Sequence, residues 1–219
     1  MRSRLFKRAA RILPFTQTRR IRGSICAGSV LDVGCGKGTA AETVAEVFSW
    51  LIGIDIFEPY LREAKKKCIY SDLVQGDIRL LPFKSKSFDI VLCLEVLEHM
   101  EKADARVLIK ELERIARQRV IICSPVGYVP QDKYNGNPYQ VHRSCWFPWD
   151  LQMLGYKISP VDFRYPALRH EESLFRTLLR QILTLSLYPI MKVFPEKCSG
   201  RMYCVKNLLH AESKRTAGL

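Results

Sequence analysis

Val30-Leu31-Asp32-Val33-Gly34-Cys35-Gly36-Lys37-Gly38-Thr39 is the stretch whose reading decides the fold. Its first half has the residues of a buried strand, its second half is a glycine-rich turn, and residues 39–48 read as a helix. A strand that runs into such a turn and then a helix brings bare backbone N–H groups and a helix N-terminus up to an anionic or polar ligand. Gly34, Gly36 and Gly38 carry no Cβ, so backbone and ligand can approach closely. The spacing G-x-G-x-G is only moderately specific by itself. A dinucleotide-binding turn, G-x-G-x-x-G, would need a glycine where Thr39 stands, which disfavours a nicotinamide oxidoreductase.

Three further segments continue the pattern. Trp50-Leu51-Ile52-Gly53-Ile54-Asp55 is an apolar run closed by an acid 21 positions after Gly34, where the second strand of a βαβ unit should end. An acid there can accept hydrogen bonds from two vicinal ribose hydroxyls. Val74-Gln75-Gly76-Asp77-Ile78 places another acid after a short strand. Ser87-Phe88-Asp89-Ile90-Val91-Leu92-Cys93-Leu94-Glu95-Val96-Leu97-Glu98-His99 is a longer apolar run that ends in acids and a histidine.

Taken in order, these segments resemble the class I S-adenosylmethionine-dependent methyltransferases, with Asp32 to Gly38 similar to their motif I and Ser87 to His99 similar to the fourth strand of the small-molecule branch, methyltransferase type 11. The resemblance implies an α/β fold, a Rossmann-like three-layer sandwich with a mostly parallel seven-stranded sheet and an antiparallel last strand. It implies S-adenosyl-L-methionine as cofactor. Gly34, Gly36 and Gly38 would let the backbone pass the methionine part, and Asp32 would meet its amino group. Asp55 with Ile56 would hold the ribose, Asp77 with Ile78 the adenine edge, and Glu95 would stand beside the site of methyl transfer.

Periodicity agrees with that architecture. Strands are expected near 29–33, 50–54, 71–75, 88–93 and 118–123, and helices near 39–48, 59–67 and 102–116. The last of these helices shows amphipathic spacing through Val107, Leu108, Glu111, Leu112 and Ile115. Such alternation argues a parallel sheet covered on both faces, with ligands at the carboxyl ends of the strands. A short helix from Ser144 ends at Gly155, a strand covers 156–163, and a final strand covers 201–208. Between these strands lies an insertion, about 165–200, rich in leucine. It is read as no membrane span, because Arg176, Arg180 and Lys192 interrupt it and Pro189 should break it. Packing against the domain or a second copy accounts for it; a lid over an apolar acceptor, or a surface touching lipid, is the alternative.

The formal charge of the 219 residues is +13, and it is unevenly spread. Residues 1–24 form a leader with Arg2, Arg4, Lys7, Arg8, Arg11, Arg19, Arg20 and Arg22 and no acid; residues 25–219 are taken as the methyltransferase domain. The leader suits a solvated helix capping the cofactor pocket, a basic amphipathic helix on an anionic membrane surface, an electrostatic arm for RNA, or an import peptide. No continuous apolar stretch follows its first basic residues, so it does not read as a secretory signal. None of the eight cysteines forms a C-x-x-C pair, so no metal is expected and all are read as free thiols in a cytoplasmic protein, with contact at the membrane periphery left open.

The acceptor side is less legible. The loop from Ser124-Pro125-Val126-Gly127-Tyr128 runs through Tyr134, Asn135, Asn137 and Tyr139 to His142, the candidate general base. The expected reaction is methyl transfer to a small-molecule or lipid-like acceptor. The alternatives are an RNA methyltransferase using the basic leader and a non-catalytic module that binds cofactor or a partner. Leu94-Glu95-Val96-Leu97 lacks the Asp/Asn-Pro-Pro-aromatic signature of base-amino methylation.

Overall fold

The computed structural model describes residues 17–24, 28–164 and 174–209. Most of the basic leader and the start of the insertion lie outside the described residues. The strands are β1 (Ser29–Val33), β2 (Trp50–Asp55), β3 (Asp72–Gln75), β4 (Phe88–Leu94), β5 (Ala116–Pro125), β6 (Lys157–Phe163) and β7 (Ser199–Asn207). They form one sheet in the order β3-β2-β1-β4-β5-β7-β6. β1 to β5 pair in parallel, and β7 inserts antiparallel between β5 and β6. This is the Rossmann-like sheet with an antiparallel last strand that the resemblance implies.

The central strands are apolar on both sides because both sides are covered. Odd-numbered Leu31, Val33, Val91 and Cys93 face one core with Leu108, Leu112 and Trp146. Even-numbered Ile90, Leu92 and Leu94, with Val30, face a second core with Val44, Ile121 and Tyr203. The period of two along each strand therefore feeds two separate layers.

Six helices of the described residues cover these faces: α1 (Gln17–Ser24), α2 (Glu58–Lys65), α3 (Lys102–Ile115), α4 (Pro148–Gln152), α5 (Leu174–Val193) and α6 (Pro195–Cys198). α3 buries Ala105, Leu108, Ile109, Leu112 and Ile115, while Val107 is exposed. The apolar stripe is thus one residue out of register with part of the set the sequence suggests.

The stretch 39–48 is not an α-helix. It forms two short 3₁₀ turns, Ala41–Thr43 and Ala45–Val47, closed by bonds such as Val44 N–H to the Ala41 carbonyl at 2.9 Å. Thr43 Oγ1 donates back to the Ala40 carbonyl at 2.7 Å, and β-branched Thr39, Thr43, Val44 and Val47 weaken helical propagation. A second departure is in the insertion, where α5 continues through Pro189 instead of stopping there. No helix of the described residues is long and apolar enough to cross a membrane.

α1 fixes the described end of the leader to the second face. Ile21 is 1% exposed inside that core. Arg20 donates to the Pro160 carbonyl at 3.2 Å and to the Tyr188 hydroxyl at 2.8 Å. The helix caps the sheet face and supplies no residue to the cofactor pocket, so the cap is a structural one rather than a cover over the ligand.

Candidate active site

The glycine turn leaves β1 and folds over the end of β2. Gly34 and Cys35 both donate their N–H to the Ile54 carbonyl, at 2.8 and 3.0 Å. Gly36 N–H donates to Asp55 Oδ2 at 2.8 Å, and Gly38 N–H to the Cys35 carbonyl at 2.9 Å. These four N–H groups are satisfied within the protein. The expectation of bare N–H groups and a helix N-terminus aimed at the ligand is therefore corrected: the turn presents close backbone surface instead. Gly34 shows why glycine is needed. Its φ is +71°, and a Cβ there would lie 2.5 Å from Val96 Cγ2.

A cavity of about 350 Å³ opens at the carboxyl ends of β1 to β4. Gly34, Gly36, Asp55, Ile56, Asp77, Ile78 and Glu95 all line it. Asp55 is rigidly held, with Oδ1 accepting Phe57 N–H at 2.8 Å opposite the Gly36 bond, and burial raises its pKa. Asp77 accepts Arg79 N–H at 2.9 Å and the Arg79 guanidinium on both oxygens, which lowers its pKa; it caps the turn that follows it as well as facing the cavity. Glu95 sits just past β4 at φ +58°, a strained conformation for a non-glycine residue. Its Oε1 is buried without a hydrogen-bond partner and lies 3.9 Å from Arg201 Nη1.

Two expected cofactor residues do not reach the cavity. Asp32 is 3% exposed under the turn, where Tyr70 donates its hydroxyl to Oδ2 at 2.7 Å. Burial pushes its pKa up to about 6, against the Tyr70 bond that lowers it. Gly38 packs on Tyr70, whose ring would lie 2.8 Å from an added Cβ. Both support the turn from behind. Alternation explains Asp32: it is the even-numbered neighbour of Leu31 and Val33, so it points to the second face.

His142 is likewise outside the cavity lining, and His99 is in it. The two rings meet edge to face with centroids 4.8 Å apart. His142 Nδ1 contacts the Val129 carbonyl and His99 Nδ1 lies 3.4 Å from the Val141 carbonyl. Burial, with the neighbouring His142, lowers the His99 pKa to about 4, so it stays neutral near pH 7. Buried Glu98 accepts from Ser124 Oγ at 3.2 Å, and burial with Glu95 nearby holds its pKa well above the usual range. Ligand atoms of Glu98, His99 and His142 lie within 4.8 Å of one another, a mixed carboxylate and imidazole donor set of the type that suits a divalent cation.

Other lining residues carry no motif in the sequence. Arg79, Met100, Asp104, Tyr139 and Arg143 come from loops and from the start of α3. Asp55, Asp77, Glu95, Glu101 and Asp104 outnumber Arg79 and Arg143 on the wall. Three of these acids are paired, Asp77 with Arg79, Glu101 with Arg143 and Glu95 with Arg201.

Comparison with known proteins bears on the family and the fold. Residues 31–123 match the family described as "Methyltransferase domain". The ubiquinone biosynthesis O-methyltransferase of Bordetella bronchiseptica is 30% identical over 122 residues, covering 53% of this chain and 46% of that protein. The chain therefore spans about half the length of the curated relatives it matches. A SAM-dependent methyltransferase from Archaeoglobus fulgidus has the same fold, with a TM-score of 0.57, 18% identity and 94% of each chain covered. The magnesium protoporphyrin IX methyltransferase of Synechocystis, solved with bound SAM, superposes with a TM-score of 0.52 at 20% identity over 85% of this chain and 74% of that one.

Proposed function

We propose that this chain, whose residues 31–123 match a methyltransferase domain, is a class I S-adenosylmethionine-dependent methyltransferase that transfers a methyl group from S-adenosyl-L-methionine to a small-molecule or lipid-like acceptor. The observation that carries this reading is the convergence of Gly34, Gly36, Asp55, Asp77 and Glu95 on one cavity. The residues fit the cofactor on structural grounds. Five acids stand on the wall against two arginines, and a buried Glu95 oxygen has no hydrogen-bond partner.

When bound, the cofactor supplies an activated sulfonium methyl; the protein has to position and desolvate the reactants. Asp55, already fixed by two backbone N–H groups, has lone pairs left to accept from ribose hydroxyls. Asp77 and the backbone at Ile78 would hold the adenine edge, and Glu95 would face the cationic centre. Asp32 and Gly38 set the height of the glycine turn through Tyr70. His99, neutral and in the cavity lining, would accept a hydrogen bond from an acceptor hydroxyl and orient it. His142 serves that contact from behind, by fixing the His99 ring. The leader contributes positive charge for an anionic partner, membrane or RNA, beyond the part that packs as α1.

Calorimetric titration with S-adenosyl-L-methionine, with NADH as control, tests the reading. Micromolar binding of the first and none of the second is expected. Asp55→Ala should weaken it more than tenfold, about 1.4 kcal/mol or more. No binding by the intact chain overturns the proposal. Turnover of no acceptor despite tight binding would move the non-catalytic reading to the front.

A further inference from the structure

α5 is amphipathic the wrong way round for a helix on a water-facing surface. Its inner side is anchored: Thr184 and Met191 are fully buried, and Thr184 Oγ1 accepts Phe163 N–H at 2.9 Å. A surface helix ordinarily turns charged residues outward. Here Ile182, Leu185, Pro189 and Val193 recur at spacings of three, four and four on the outer side, joined by Ile190 and Phe194. Ile182 is 58% exposed, Val193 67% and Phe194 46%. A contiguous apolar strip of this kind marks an interaction surface.

The charge around the strip selects its partner. Exposed Lys192 and Lys197 flank it, the latter stacked over the Phe194 ring at 5.6 Å. Residues 174–198 hold Arg176, Arg180, Lys192 and Lys197 against a single acid, Glu196. The leader also enters here, since α1 meets α5 through Arg20 and Tyr188. The sixteen residues that precede α1 carry Arg2, Arg4, Lys7, Arg8 and Arg11, with no acid. Exposed apolar side chains flanked by Lys192 and Lys197, in a chain of formal charge +13, match an anionic lipid surface: the apolar strip enters the acyl boundary and the cations meet the headgroups.

We propose that the outer face of α5 docks this protein on anionic membranes. The inference goes beyond the methyl-transfer reading and does not depend on it. The test is co-sedimentation of the full chain with vesicles of phosphatidylcholine alone or with one quarter phosphatidylglycerol, at low salt and at 0.5 M salt. Two variants accompany it: Ile182→Ser/Val193→Ser/Phe194→Ser and Lys192→Glu/Lys197→Glu. The expected result is binding to phosphatidylglycerol vesicles that weakens in high salt and falls more than tenfold in each variant, with S-adenosyl-L-methionine affinity and melting temperature unchanged. No binding of the wild-type chain to phosphatidylglycerol vesicles overturns the proposal. So does equal binding by the serine variant, or a wild-type dimer that the serine variant dissolves, which would give the face to a second copy. Salt-sensitive retention of RNA with no vesicle binding would assign the charge to nucleic acid instead.

Discussion

Asp32 and His99 are both buried, and burial moves their pKa values in opposite senses. Asp32, raised to about 6, binds more protons folded than unfolded, so its contribution is present at low pH and is lost as pH rises from about 4 through 6. His99, lowered to about 4, binds fewer protons folded, so its contribution is present above pH 6.5 and is lost as pH falls through 4. Each amounts to roughly 3 kcal/mol, and in the window between pH 4 and 6 they oppose each other. Urea unfolding at pH 4 and pH 7 should separate them. Asp32→Asn, which leaves the His99 slope uncompensated, should lose more stability than wild type on acidification. His99→Gln, which leaves the Asp32 slope, should lose less. Equal slopes in all three proteins would mean that these side chains titrate as they do in water. At this scale the lining of the cavity is largely legible, because Gly34, Gly36, Asp55, Asp77 and Glu95 each sit at or just past the end of a strand. Strand alternation turns Asp32 under the loop, outside the cavity lining, and Tyr70, 38 positions away, gives no local signal of the bond it makes. Arg201 is equally hidden, since its partners Asp162 and Gln17 lie on another strand and on α1.

Element by element, the strands and α3 were legible because period and burial agree. The two exceptions are local propensities that the rest of the molecule decides. In 39–48, helical periodicity was outweighed by β-branched residues and by Thr43 bonding back to Ala40. In α5 the reverse occurred: packing of Thr184 and Met191 on the sheet side holds the helix through Pro189. Proline at that position has no N–H for the carbonyl one turn earlier, that of Leu185, and its ring crowds the preceding turn. Pro189 is exposed, so replacing it need not disturb the core. Pro189→Ala should therefore stabilise the protein by about 1 kcal/mol or more, read as a higher urea midpoint with unchanged slope. A lower midpoint would mean that the bend at Pro189 is what lets α5 follow the sheet.

For the whole molecule, α1 is a separate piece of sequence that completes one face and touches the site through a single relay. Gln17 Oε1 accepts from Arg201 Nη1 at 3.0 Å; Arg201 also pairs with Asp162, and its Nη1 lies 3.9 Å from Glu95 Oε1 at the cavity wall. Two truncations distinguish the charge of the leader from its packing. Removing residues 1–16 takes away five cations and none of the contacts of α1 described above, so melting temperature and S-adenosyl-L-methionine affinity should hold. Removing residues 1–24 uncovers the core around Ile21, which alone costs about 1.5 to 3 kcal/mol. It also strips Gln17 from Arg201 and Arg20 from Tyr188. The longer truncation should melt several degrees lower. With one of its partners gone, Arg201 is free to close on Glu95 and draw that carboxylate away from the cavity, so cofactor affinity should fall along with stability. If Ile21→Ala reproduces the loss of stability but keeps full affinity, while Gln17→Ala does the opposite, then packing and relay are separate devices carried by one helix. If both single variants keep full affinity, α1 acts on the cofactor only by holding the fold together.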